Sequence, residues 1–174
     1  MQNHYLATVQ QGIDFLTHLS STQYTAVTEI TASSIGGHVR HILDHFQSIQ
    51  RSTRVGSTWF RFVDYEIREL GGALETDIAM AIQTMHQVLN WISLLDEQEL
   101  TVAVTVNADV GIGDIKLMQV PSTLGRELMF CCSHAIHHYA VLKSIYQALG
   151  GQVSPNFGLA PSTANHLRSQ TCAP

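Results

Sequence analysis

The chain has 174 residues, nine Lys and Arg against fourteen Asp and Glu, and a formal charge of −5. Its 45% hydrophobic and 13% charged content predicts one packed domain over 1–174 and excludes a disordered chain. The scattered basic residues exclude a nucleic-acid surface, and no apolar run approaches the ~20 residues of a membrane span. The opening Met1-Gln2-Asn3-His4-Tyr5-Leu6 lacks the charged-then-apolar order of a secretory leader. Cys131, Cys132 and Cys172 cannot all pair, and together these features predict a reducing, cytoplasmic setting.

Helical periodicity runs through four segments. Residues 2–20 space Leu6, Val9, Ile13, Leu16 and Leu19 by three or four. Residues 33–51 start at a Ser33-Ser34 cap signal and repeat Ile35, Val39, Ile42, Phe46 and Ile49. Residues 73–95 carry the stripe Leu74, Ile78, Ile82, Met85, Leu89 and Ile92. Residues 123–149 open after Pro121-Ser122-Thr123 and stop at Gly150-Gly151. Four such helices predict an all-α four-helix bundle. The connections 52–72 and 96–122 are long enough to be crossovers. Within the second, Thr101–Val106 and Ile115–Val120 flank a Gly-rich turn and predict a short hairpin or extended excursion over the mouth of the bundle, before the last long helix. From Ser154 onward Pro155, Gly158 and Pro161 predict an irregular tail.

The ten histidines carry the chemistry. His134 and His138 are four apart on one helix and point two imidazoles at one spot. Neutral imidazole suits zinc, nickel, copper and iron, and a site with open positions beside its histidines is a catalytic one. On helix 33–51, His38, His41 and His45 fall within about 60° of one another, and all three remain candidates for a further ligand. His38 and His45 lie nearer the apolar stripe than His41. The alternative is a bundle without metal, its histidines merely packed. Cys131, a turn before His134, reads as a fourth ligand or as a small buried apolar residue. Glu127 reads as a base, a residue orienting a ligand, or an acid favoured in a first helical turn. His137 is placed on the flank. Asp44 sits off the histidine cluster, and Trp59, Tyr65 and Arg68 belong to the crossing, where they line a pocket or pack a helix edge.

The segment Ser34-Ile-Gly-Gly-His-Val-Arg-His-Ile-Leu-Asp44, taken with His134-Ala-Ile-His-His138, resembles the DinB/YfiT-like superfamily of metalloenzymes. Asp64-Tyr65 with Arg68, and Phe157–Ser162, resemble one bacterial subgroup of it. The resemblance implies a four-helix bundle with an up-down-down-up path. It also implies a divalent metal (Zn, Ni, Fe or Mn) held by His41, His134 and His138, with His41 opening the His-Ile-Leu-Asp run. Some relatives are thiol-dependent transferases. The expected function is therefore a metal-dependent S-transferase or hydrolase acting on a small electrophile, with a small thiol as co-substrate and no assigned catalytic base. A metal lowers the pKa of a bound thiol or water, which is what either reaction needs. The competing expectation is a non-catalytic metal- or ligand-binding stress-response protein. The expected partners are a small-molecule substrate and a second copy in a homodimer, with no nucleic acid and no membrane.

Overall fold

The computed structural model describes residues 2–52, 54–55, 58–59, 61–68 and 70–171. In chain order these are α1 (Gln2–Leu16), α2 (Ser21–Thr25), α3 (Ile35–Arg51), β1 (Arg54–Val55), β2 (Thr58–Trp59) and β3 (Phe62–Asp64). A 3₁₀ turn (Ala73–Glu75) precedes α4 (Ile78–Leu94), α5 (Glu97–Leu100), β4 (Ala103–Asp109), β5 (Leu117–Thr123), α6 (Leu124–Ala148) and α7 (Pro161–Thr171).

The long helices begin where the sequence places caps. Ser34 Oγ accepts the Gly37 amide, the Asp77 carboxylate accepts those of Ala79 and Met80, and Thr123 Oγ1 accepts that of Arg126. After α6 the chain turns at Gly150, whose φ of 80° favours glycine, and the Gly151 amide returns to the Tyr146 carbonyl.

The helices α1, α3, α4 and α6 pack around one core. Ile35, Val39, Ile42 and Ile49 of α3 meet Met85, Val88 and Ile92 of α4 and Leu128, Ala135 and Ile145 of α6, all essentially buried. Helices alone do not make this fold. β3, β4 and β5 form a mixed sheet in that order, with β3 parallel to β4 and β5 antiparallel to it. β1 and β2 form a separate ribbon. The class is α/β, which corrects the expected all-α four-helix bundle. The β4–β5 pair occupies the place of the expected hairpin; the element that changes the class is β3. It comes from the crossing 52–72 and is defined by pairing with residues 43 positions away, which no local pattern announces. The tail likewise holds α7 where an irregular segment is expected.

One close approach sets the position of α3. A Cβ on Gly36 would run into the Glu75 carbonyl oxygen and lie 2.9 Å from Cε1 of Tyr24. The same turn is pinned by Arg40, whose Nε donates to Glu75 and whose second guanidinium nitrogen donates to Asp44. Gly36→Ala must push the turn off α3, at a cost of about 2–3 kcal/mol. Urea unfolding of that variant checks this, and an unchanged midpoint would contradict it.

Among the described residues no helix is long and apolar enough to cross a membrane.

Candidate functional site

α3 and α6 lie side by side and face each other through histidines. His41 and His45 are one turn apart on α3, and His134 and His138 one turn apart on α6. The Nε2 atoms of His134 and His41 are 3.0 Å apart, and those of His138 and His134 are 3.1 Å apart. The three expected ligands thus meet, although 93 residues separate His41 from His134. His41, His45 and His134 also form a group whose ligand atoms all lie within 4.8 Å of one another. The α3 side of the cluster therefore includes His45 beside His41, two of the three candidates that the helical wheel leaves open.

The surrounding hydrogen bonds fix which nitrogens carry protons. Thr31 Oγ1 donates to the Ser33 carbonyl, so towards His38 Nε2, at 3.5 Å, it acts as acceptor. His38 then carries its proton on Nε2 and presents a bare Nδ1 to His138 Nδ1 at 3.1 Å. His138 must donate from Nδ1, which leaves its Nε2 lone pair aimed at His134. Through this relay His38 holds the His138 tautomer from behind.

Burial keeps the cluster neutral. It lowers the pKa of His41 to about 3, His134 to about 4 and His138 to about 3, with neighbouring histidines adding to the effect. His38 and His45 are lowered as well, chiefly by burial. The exposed Arg68 adds its positive charge against protonation of His41, His45 and His134. Neutral imidazoles with converging ring nitrogens are a donor set for a borderline divalent metal, so the residues present fit such an ion. The sign of the pH dependence follows. Folded pKa values below 6.5 mean that the unfolded chain takes up protons first. The metal-free protein therefore carries no penalty from these groups above pH 6.5 and is progressively destabilised as the pH falls from there towards 3. Urea midpoints should drop across that window, and a variant with glutamine at His41, His134 and His138 should show a flatter profile.

Aromatic rings and a buried acid back the cluster. Phe130 lies 5.7 Å from the His134 ring and Tyr65 lies 5.1 Å from the His45 ring, both stacked. The Tyr65 hydroxyl donates to Glu127 at 2.6 Å, and Ser122 and Arg126 donate to the other oxygen of that carboxylate. Glu127 is 0% exposed, so it is not a solvent-facing first-turn acid, and its hydrogen bonds are with Tyr65, Ser122 and Arg126. It orients Tyr65.

Other expected residues go elsewhere. Cys131 is buried with Sγ 3.9 Å from the Tyr65 hydroxyl, and burial raises its thiol pKa well above normal, which fits a packed apolar residue. Cys132 is pushed up to about 12, also by burial. Asp44 is spent on Arg40. His137 is exposed, with its ring 5.5 Å from that of His138. The side chain of Trp59 and the whole of Cys172 lie outside the described residues.

A separate cavity of about 560 Å³ opens between α1 and the segment after α6. It has Phe15, Tyr146 and Phe157 among its walls, beside Gln10, Gln11 and Asn156, and none of the cluster histidines.

No family model matches the chain, and no solved structure does. It is similar to FK506-binding protein 5 of Rhizopus delemar, at 32% identity over 142 residues. The match takes in 81% of this chain and 37% of that relative, so the chain spans little more than a third of the curated relative's length. That relative is named as an FK506-binding protein and not as a DinB/YfiT-like one, and the resemblance to the DinB/YfiT-like superfamily is corrected accordingly. With it fall the metal-dependent S-transferase or hydrolase and the stress-response alternative, since the named relative is a binding protein of another kind.

Proposed function

We propose that His41, His134 and His138 hold a divalent transition metal. The observation that carries this reading is the convergence of three Nε2 atoms, at successive separations of 3.0 and 3.1 Å, on rings whose burial keeps them neutral. Bare lone pairs at that separation repel unless a cation lies between them, and a metal ion relieves what a lone proton relieves only for one pair at a time. Elemental analysis tests the reading. Protein purified without a metal-affinity tag, incubated with zinc and desalted, should retain about one ion per chain. Retention of none overturns it.

The relative's name supports a second reading, binding of FK506, and the cavity beside α1 has the aromatic walls and amide rim that such a ligand engages. Calorimetric titration with FK506 decides it. Saturable heat that disappears in Phe157→Ala supports the reading, and no heat with the wild type refutes it.

A further inference from the structure

We propose that His45 supplies a fourth imidazole to the metal, so that two histidine pairs, each one turn apart on facing helices, close the site. This inference rests on the metal-binding reading above. His45 Nδ1 lies 2.9 Å from the His41 carbonyl oxygen, which can only accept, so Nδ1 carries the proton and the lone pair is on Nε2. A ring held by its own helix backbone at one nitrogen and free to coordinate at the other is how metal-bound histidines are oriented.

The ring is also in the right place. It sits 4.4 Å from the His134 ring and 4.7 Å from the His41 ring, and its ligand atom lies within 4.8 Å of theirs. His138 joins this trio through its 3.1 Å contact with His134. On its far side His45 stacks on Tyr65, whose hydroxyl is tied to the fully buried Glu127. At 8% exposure His45 is itself buried, and its rotation would have to displace that stack.

Four imidazoles complete a tetrahedron and leave no position for water or substrate. The centre then retains its ion and does no chemistry on a bound molecule. It also selects ions that accept an all-nitrogen tetrahedral field, zinc and cobalt(II), over the octahedral oxygen-seeking magnesium and calcium.

Cobalt(II) is the probe for coordination number and zinc the probe for affinity. The wild-type protein loaded with cobalt should give the intense visible bands of a four-coordinate ion, and X-ray absorption on the zinc form should count four imidazole nitrogens. His45→Phe keeps the stack on Tyr65 and removes the nitrogens, and His45→Gln keeps polarity at smaller size. Both should weaken zinc binding by more than about 100-fold in chelator competition and shift cobalt to the weak bands of a higher, water-completed coordination number. A wild-type count of three imidazoles, or wild-type affinity and bands in both variants, overturns the role of His45 and leaves the metal reading standing. Failure of the wild type to take up either ion overturns the metal reading itself.

Discussion

Replacing His134 and His138 together by alanine is expected to abolish metal retention and to leave the metal-free protein folded. The pair supplies the α6 half of the cluster, and an outer-shell partner alone is worth 10–100-fold in affinity, so losing two direct donors costs more than about 100-fold for each. Both side chains are only half-buried, so their loss removes little packing from the core. The metal-free variant should therefore melt close to the wild type. Zinc separates the two proteins. An ion at 100 times its dissociation constant stabilises the folded state by about 2.7 kcal/mol, so zinc should raise the wild-type melting temperature and not that of the variant. Parallel shifts in both proteins would place the ion elsewhere.

Glu127→Ala is expected to have the largest effect on stability, about 3–5 kcal/mol in urea unfolding. The carboxylate is 0% exposed and collects hydrogen bonds from Tyr65, Ser122 and Arg126. Its removal leaves the buried Tyr65 hydroxyl without its short 2.6 Å acceptor and opens a void beneath α6. Glu127→Gln keeps the volume and one acceptor and should cost less. Tyr65→Phe, which removes the donor and keeps the ring on His45, should cost least, about 1–2 kcal/mol. If Glu127→Ala proved no worse than Tyr65→Phe, the carboxylate would not be holding three elements together.

Much of this architecture is written locally in the chain. The four periodic stretches become α1, α3, α4 and α6, and the cap residues Ser34 and Thr123 mark true helix starts. The i, i+4 pair His134 and His138 is legible for the same reason: helical spacing alone brings the two rings together. β3 is not legible, because three residues with one buried position acquire their strand character only from Thr105, Val106 and Asn107 far downstream. The α3 side of the cluster is legible only as a set of three. The wheel shows that His38, His41 and His45 share a face, but only the packing of α6 against it assigns His41 to His134 and His38 to the rear of His138. The role of Glu127 is hidden too, since its partner Tyr65 lies 62 residues upstream in a segment without periodicity.

The parallel pairing of β3 with β4 also imposes an order in time. The β4–β5 hairpin closes between near neighbours, and such hairpins form in about 1–10 μs. β3 joins only after the intervening stretch, with α4 in it, has folded back across 43 residues, a slower closure because its chain entropy is lost before any contact is gained. Tyr65 directly follows β3 and donates its amide to the Asn107 carbonyl, so the ring that covers His45 arrives with that strand. The α3–α6 contact closes a longer stretch still, 93 residues between His41 and His134, so the hairpin precedes both the covering of His45 and the assembly of the histidines.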